Sequence, residues 1–394
     1  MVRCGLDVLL SNPKRIKGRK VALLINPTSC TSKLVPSYQI LKEILGKDLV
    51  CIFGPEHGFR GEAQDQVGIY DYCLPDGTEV HSLYGHSPET LKPRKEHLEG
   101  IDLLIYDIQD VGARYYTYVY TLSYCMEACG EAGVEVMVLD RPNPIGGVAV
   151  EGTVLQPEFA SFVGRFPVAV RHGLTTAELA LMFRDRFGID CELSVVKMRG
   201  WKRNMWFDDT GLPWVLPSPN MPTLDTATVY PGMCLLEGTN LSEGRGTTRP
   251  FEIFGAPWID ADAFARELNS LGLDGCVFRP CCFVPTFNKY RGQICSGAQI
   301  HITDRESFKP FLTGVAVVYT ARKMYPELFR WRKGVYEFER KRLAFDLLCG
   351  TDSIRKMMED GAELAEIEAS WKRDEREFAE LRGEYLLYGK GGSR

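Results

Sequence analysis

The sequence predicts an α/β protein with a Rossmann-like, mostly parallel sheet covered by helices and a second, smaller α/β (α+β) C-terminal domain. Through the first two hundred residues, short apolar runs alternate with segments of helical periodicity, the pattern of parallel strands buried on both faces. The chain has 394 residues, of which 45% are hydrophobic and 25% charged, a composition typical of a globular protein long enough for two domains. We predict a boundary near residue 225, giving domains 1–225 and 226–394.

Four apolar runs predict the first strands of the sheet: Val21–Ile25, Leu49–Phe53, Leu103–Tyr106 and Val134–Leu139. Helical spacing is found over Ile40–Leu45. It recurs at Val119, Leu122, Met126 and Cys129, and Gly133 is suited to the C-cap of that helix.

A second αβ unit follows, with a helix capped by Thr175 or Thr176 and a strand over Cys191–Val196. The stretch from Leu212 to Pro257 is rich in Pro, Gly, Asn and Thr, which predicts functional or domain-joining loops. Beyond it the pattern predicts helices near Ala261–Leu271 and Phe308–Tyr319, strands near Val277–Phe283 and Ala298–Thr303, and two charged C-terminal helices.

Charge and cysteine usage exclude some function classes. The formal net charge is −5, so the chain lacks the basic excess that drives nucleic-acid binding. No apolar run reaches the ~18 residues of a membrane span, and Met1–Leu10 does not have the features of a signal peptide. The 13 irregularly spaced cysteines fit buried thiols in a reducing compartment. We therefore expect a cytoplasmic protein without nucleic-acid or membrane partners; its oligomeric state stays open.

The residues after each strand are the most informative, because ligands bind at the carboxyl ends of strands in open α/β sheets. Polar segments follow all four predicted strands: Asn26 and Thr28, then Glu56, His57 and Arg60, then Asp107, Gln109, Asp110, Arg114 and Tyr115, then Asp140, Arg141 and Asn143. We expect this edge of the sheet to form the active site.

Several familiar sites are missing from the sequence. It contains no G-x-G-x-x-G, no P-loop and no G-x-S-x-G elbow, so we expect no cofactor. His57 with Asp107 is a candidate metal pair, but H-E-x-x-H is absent and the spacing is unlike that of metal ligands. We therefore predict no metal.

An acid-rich cleft remains, and paired carboxylates are the usual groups for glycoside hydrolysis. Glu56, between Pro55 and His57, is our candidate catalytic carboxyl; the alternative is a salt bridge to Arg60 that shapes the loop. Asp107 and Asp110 either serve the substrate or cap a helix. Glu151 either returns a second carboxylate to the cleft or lies in a surface loop.

The segment Asn240–Thr248 is the second candidate region. Arg245 lies between two glycines, a position suited to bidentate contact with a ligand carboxylate; the alternative is an ordinary flexible loop. Tyr115 and its neighbouring tyrosines either stack on sugars or belong to the core.

Five motifs of this sequence resemble those of a known family. GPEHGFRG (54–61), YDIQDVG (106–112), LDRPNP (139–144), PSPNMPT (217–223) and EGTNLSEGRGTT (237–248) are similar to those of the NamZ family, which is YbbC-like and was formerly DUF1343. The resemblance runs from about Gly5 to Tyr388. It implies an exo-acting β-N-acetylmuramidase that removes terminal N-acetylmuramic acid from peptidoglycan fragments, with a Rossmann-like domain and a smaller C-terminal domain that close a cleft.

Within this resemblance Glu56 matches the family's likeliest catalytic carboxylate, and Asp107 or Glu151, or a water held by Asp110, supplies the opposing group. Arg245, Arg114 or Arg60 would pair with the lactyl carboxylate of muramic acid. The full predicted substrate-binding set is His57, Arg60, Gln109, Asp110, Arg114, Tyr115, Asp140, Arg141, Asn143, Asn240, Glu243 and Arg245. The alternatives are a non-catalytic binder of cell-wall sugars and a metal-dependent hydrolase of amino sugars.

Overall fold

A computed structural model describes residues 1–389. Its strands are β1 Val21–Ile25, β2 Leu49–Gly54, β3 Tyr72–Cys73, β4 Glu79–Ser82, β5 Leu103–Asp107, β6 Glu135–Leu139, β7 Glu151–Val154, β8 Ala169–Arg171, β9 Leu193–Val196, β10 Ile253–Ala256, β11 Cys276–Phe283 and β12 Cys295–Ile302. Its helices are α1 Gly5–Leu10, α2 Ser37–Leu45, α3 Tyr118–Ala132, α4 Thr176–Asp185, α5 Leu224–Met233, α6 Ala261–Ser270, α7 Pro310–Met324, α8 Ala344–Cys349, α9 Ser353–Glu359 and α10 Leu364–Leu381.

The central sheet has seven strands in the order β3-β4-β2-β1-β5-β6-β9. All neighbours pair in parallel except the short β3, which is antiparallel to β4. From β4 to β9 this is the doubly wound order, in which the chain reverses direction across the sheet between β1 and β5. The predicted Rossmann-like, mostly parallel sheet is confirmed.

Strand β1 shows how the sheet is buried on both faces. Ala22 and Leu24 belong to the large core shared with α3 and α4, while Val21, Leu23 and Ile25 pack on the opposite side with residues of α1 and α2. Successive side chains of a strand point to opposite faces, so an uninterrupted apolar run is what helices on both sides require.

The C-terminal region is smaller and mixed. Strands β10, β12 and β11 of this region form an antiparallel sheet in that order. Strands β7 and β8 lie before residue 225 and pair in a separate two-stranded ribbon. The smaller C-terminal α/β (α+β) region is thereby confirmed, whereas the division into domains 1–225 and 226–394 stays a prediction. Residues 390–394 of the second domain lie outside the described residues.

Helix α5 occupies part of the segment that the sequence analysis expected to form loops. Its Gly232 meets α7 so closely that a Cβ there would lie 1.8 Å from the carbonyl oxygen of Pro310. Only a residue without a side chain permits this approach.

Candidate active site

A cavity of about 510 Å³ lies where the loop after β2, the start of α3 and the C-terminal region meet. Its lining includes four carboxyl side chains, namely Glu56, Asp65, Glu237 and Glu337, together with Arg245 and a group of aromatic rings. The carboxyls suit acid–base chemistry on a sugar.

Glu56 follows β2 and is buried, with 5% of its surface exposed. Thr117 donates its hydroxyl to Glu56 Oε2 at 2.7 Å. Thr117 is the N-cap residue of α3, but its side chain makes no capping bond, so the hydroxyl is free to serve the carboxylate. A hydrogen bond from a neutral donor holds Glu56 in place without neutralising it.

His57 comes next and adopts a left-handed backbone conformation, with φ of +67°. Its Nδ1 lies 2.8 Å from the carbonyl oxygen of Ala63, and its ring meets the ring of Tyr118 edge-on. These contacts fold the loop after β2 so that Glu56 and His57 both line the cavity.

Arg245 also lines the cavity and is held by carboxylates. Its Nη1 lies 3.1 Å from Asp65 Oδ1 and its Nη2 lies 2.7 Å from Glu237 Oε1. Burial opposes ionisation of Glu237, but the Arg245 guanidinium prevails and lowers the pKa of that carboxyl. Glu243 lies behind, ion-paired to Lys289 at 2.9 Å.

Tyr115 lines the cavity and its hydroxyl donates to the carbonyl of Pro231 in α5. Tyr116, Tyr118 and Tyr230 lie beside it in edge-to-face contact. The rings therefore belong to the core and also form one wall of the cavity.

Asp107, by contrast, does not line this cavity. It ends β5 with no exposed surface, and Arg141 Nε donates to its Oδ1 at 2.7 Å. Burial raises the pKa of Asp107, while Arg141 acts in the opposite direction. Arg141 and Gln109 line a second cavity of about 350 Å³, whose lining has no carboxyl group.

The other predicted residues at this edge make hydrogen bonds to neighbouring loops and helices of the fold. Asp110 accepts the backbone N–H of Gly112 at 2.7 Å, and burial raises its pKa to about 7. Asp140 accepts the hydroxyl of Thr175 and the N–H of Ala177 at the start of α4, and burial raises its pKa to about 7 as well. Asn143 donates to the carbonyl of Leu174.

Arg114 and Glu151 join the two halves of the chain instead of lining the cavity. Arg114 is fully buried and donates to the carbonyls of Thr153, Val168 and Leu348. Glu151 begins β7 and accepts the N–H of Leu312 in the first turn of α7; burial raises its pKa to about 7.

Two predicted residues lie towards solvent. Arg60 is exposed and outside the cavity. Asn240 donates to the carbonyl of Leu328 and accepts the N–H of Arg330, which fixes a loop of the C-terminal region. The structure thus brings together Glu56, His57, Tyr115 and Arg245 of the predicted set.

The sequence analysis missed several cavity residues: Asp65, Thr117, Ser218, Asn220, Glu237 and Glu337. Ser218, Asn220 and Glu237 belong to the motifs PSPNMPT and EGTNLSEGRGTT, so those motifs were a usable signal for them. Glu337 belongs to no motif and follows no strand of the central sheet, and nothing in the sequence singled it out.

Within residues 1–389, one group of side chains has the spacing of metal ligands: Asp71, His81 and His97, each with an atom within 4.8 Å of the others. Arg94 Nη2 lies 2.9 Å from His97 Nε2 and 3.4 Å from Asp71 Oδ2. This cluster therefore contains a cation of its own. The cluster lies outside the Glu56 cavity. His57 lines that cavity and Asp107 does not, so the predicted metal pair is not brought together there.

Comparison with known proteins decides the family. Residues 21–225 match the N-terminal model of the exo-β-N-acetylmuramidase NamZ, and residues 228–388 match its C-terminal model. The chain belongs to the NamZ family. The predicted family and its enzyme class, a glycoside hydrolase of the exo-β-N-acetylmuramidase type, are thereby confirmed.

Individual relatives match this chain in sequence or structure over almost its whole length. The peptidoglycan β-N-acetylmuramidase NamZ of Bacillus subtilis (strain 168) is 47% identical over 390 residues, covering 98% of this chain and 91% of the relative. A DUF1343 family crystal structure from Bacteroides fragilis has a TM-score of 0.87 at 36% identity, covering 98% and 99% of the two chains. A second, from the same organism, has a TM-score of 0.74 at 30% identity, covering 99% and 100%.

Proposed function

We propose that this chain is an exo-acting β-N-acetylmuramidase that hydrolyses terminal, non-reducing N-acetylmuramic acid from peptidoglycan fragments or from muramic acid–glucosamine disaccharides. Glu56 is its catalytic carboxyl. The observation that carries the proposal is the position of Glu56 in a cavity with other carboxyls and a wall of tyrosine rings. Family membership supports the substrate class.

The cavity and the family together support action on a chain end. Its aromatic wall gives apolar faces for a sugar ring, and the exo-acting family supports a terminal sugar as the substrate. The catalytic candidates Asp107 and Glu151 are not part of the proposal, because one is neutralised by Arg141 and the other binds the backbone of α7.

Arg245 is the proposed partner of the lactyl carboxylate, which distinguishes muramic acid from N-acetylglucosamine. It is the arginine of the three predicted ones that lines the cavity. Asp65 and Glu237 hold its guanidinium in a fixed orientation, which is what bidentate recognition of a carboxylate needs. A neutral analogue would not pair with it, and selectivity follows.

We place the activity in the cytoplasm, in the recycling of cell-wall sugars. All 13 cysteines are free thiols and most of them are buried, as expected in a reducing compartment. Within residues 1–389, no helix has both the length and the apolar character needed to cross a membrane. Fractionation of cells expressing the native chain tests the location: recovery with exported proteins would contradict it.

The activity is tested with the purified chain, a muramic acid–glucosamine disaccharide and a 4-nitrophenyl β-N-acetylmuraminide. We expect release of N-acetylmuramic acid from both, identified by mass spectrometry, and no inhibition by a chelator. Glu56→Gln should lower kcat by about 10²–10⁴-fold with an unchanged Tm. Glu62→Gln is the matched control, because Glu62 is exposed on the same loop.

Three results would overturn the proposal. Full turnover by Glu56→Gln would remove that residue from the chemistry. Disaccharide binding without turnover would make the chain a sugar-binding protein. Loss of turnover on chelation, restored by a metal, would indicate a metal-dependent hydrolase.

A further inference from the structure

We propose that Glu337 is the second catalytic carboxyl of this site and acts as its general acid, with Glu56 as the ionised partner. The inference rests on the proposed function and deepens it. It follows from the placement of Glu337, from the backbone that holds it there and from its surroundings.

Glu337 lines the same cavity as Glu56, although the two residues come from opposite ends of the chain. Tyr84 donates its hydroxyl to Glu337 Oε2 at 2.8 Å. The Tyr84 ring packs on Phe162 and Phe338, with centroids 5.7 and 5.5 Å away. The carboxyl of Glu337 is therefore positioned by a buried tyrosine that is itself fixed by two rings.

The backbone at this position is unusual. Glu337 and Phe338 both have positive φ, at +46° and +68°, a region that residues with side chains rarely adopt. Two backbone hydrogen bonds of 2.9 Å between Tyr336 and Glu339 close the turn, and Tyr336 donates its hydroxyl to Glu237 Oε2 at 2.7 Å. Strained conformations held by surrounding structure cluster at active sites, and here the strain directs a carboxyl into the cavity.

The surroundings favour the protonated form of Glu337. Burial, and next the charge of Glu56, raise the pKa of Glu337 well above its ordinary value. Glu237 and Asp65 act in the same direction, and the hydrogen bond from Tyr84 acts against them. A carboxyl that keeps its proton near neutral pH is what a general acid requires.

The other two carboxyls of the cavity are unsuited to donate a proton. Asp65 and Glu237 are each ion-paired to Arg245, at 3.1 and 2.7 Å. The Arg245 guanidinium lowers the pKa of the Glu237 carboxyl, and the Asp65 carboxylate is engaged by the same guanidinium. Glu337 has no cationic partner among the ion pairs of residues 1–389, and is left as the proton donor.

The reaction then balances with one water. The Glu337 carboxyl gives its proton to the glycosidic oxygen as the bond from that oxygen to C1 of muramic acid breaks. Glu56 stabilises the charge that develops at C1 and either takes a proton from the attacking water or bonds to C1 until water replaces it. The water oxygen and one of its protons end as the hydroxyl on C1. The other proton returns to Glu337, directly if Glu56 had bonded to C1, or by exchange through solvent if Glu56 took it from the water.

The test compares two leaving groups. An aryl group such as 4-nitrophenolate departs without protonation, whereas a sugar alcohol needs an acid. Glu337→Gln should therefore lower kcat on the disaccharide by about 10²–10⁴-fold, but leave kcat on the 4-nitrophenyl substrate within about tenfold. It should also abolish the alkaline limb of the pH profile. Glu339→Gln is the matched control, since Glu339 lies on the same turn outside the cavity lining.

An equal loss on both substrates, or no loss on the disaccharide, would overturn the assignment. Wild-type chain that releases no N-acetylmuramic acid from either substrate would instead contradict the proposed function. If Glu337→Gln does not fold, Tyr84→Phe replaces it. Removing that hydroxyl should shift the alkaline limb to higher pH, and an unmoved limb would contradict the role of Glu337.

Discussion

Two carboxyls at the same edge of the central sheet show how differently a strand exit can be used. Glu56 follows β2, lines the cavity and is held by the neutral hydroxyl of Thr117. Asp107 ends β5, has no exposed surface and is bound by the guanidinium of Arg141. The first is held by a neutral hydroxyl at the wall of a cavity, and the second is paired with a cation in the interior.

An acid at a strand exit is therefore not by itself a catalytic group. A buried ion pair stabilises the loops that it joins only while both partners remain, because a single buried charge is costly. A carboxyl that meets a hydroxyl keeps its reactivity. The partner side chain, rather than the position after the strand, therefore separates the two roles.

We expect the largest loss of stability when the ion pair between Asp107 and Arg141 is broken. Arg141→Met leaves Asp107 buried and unpaired, so we expect the free energy of unfolding to fall by about 3–5 kcal/mol, measured by urea denaturation. The double variant Asp107→Asn/Arg141→Met should recover part of this loss. A change below about 1 kcal/mol would show that the pair does not stabilise the fold.

The next prediction concerns Asp110, whose pKa burial raises from 3.8 to about 7. The folded state holds this proton more tightly, so the stabilisation is complete below pH 3.8 and is lost as the pH rises through 7. Asp110→Asn cannot ionise. Its stability relative to wild type should therefore rise between pH 4 and 8, by on the order of 3–4 kcal/mol at most.

The matched measurement is urea unfolding of both proteins at pH 5 and pH 8. His172, whose pKa burial lowers to about 3, has the opposite pH dependence below pH 6.5, so only the difference between variant and wild type is interpreted. A difference that does not change with pH would place the ionisation of Asp110 outside the folding equilibrium.

Thr117→Val tests whether the hydroxyl that binds Glu56 contributes to activity. Loss of the hydroxyl removes the 2.7 Å hydrogen bond that positions the Glu56 carboxyl, so we expect kcat to fall. A hydrogen bond of this kind contributes about 1–3 kcal/mol, which corresponds to a loss of kcat of roughly five- to 150-fold. Thr121→Val is the control, because Thr121 is buried on α3 but makes only a 3.4 Å bond to a carbonyl. Equal kcat in both variants would contradict the role of Thr117.

The smallest effect is expected at Arg60, on the same loop as Glu56 but exposed and outside the cavity. Arg60→Ala should change the free energy of unfolding by less than about 0.5 kcal/mol and leave KM for the disaccharide within about twofold. A tenfold rise in KM would move substrate recognition from the cavity to the surface of that loop.

Sequence periodicity predicted most of the fold, because apolar runs and helical spacing are local properties. Strands β1, β2, β5, β6 and β9 and helices α3 and α4 lie where the pattern placed them, and Gly133 caps α3 in a left-handed conformation. Helix α5 was missed because it contains Pro231 and Gly232. Such residues normally disfavour a helix, and only the contact with α7 explains them.

The candidate site was predictable where it lies close to a strand. Glu56 and His57 follow β2 closely, and Arg245 lies in a long polar, glycine-containing motif. Arg114 and Glu151 have the same residue types, but the structure shows that they tie the two halves of the chain together. Residue type and spacing do not reveal whether a charged side chain meets a ligand or a backbone carbonyl.

The amino-acid sequence was sufficient to predict the family and the parallel sheet, and it predicted Glu56 as a candidate catalytic carboxyl. The groups that meet Glu56 became visible only in the folded chain. Glu337 reaches the cavity through a left-handed turn near the far end of the chain. Asp107 lies outside the cavity and is ion-paired to Arg141. Both outcomes depend on contacts between residues distant in sequence, and local patterns do not encode such contacts.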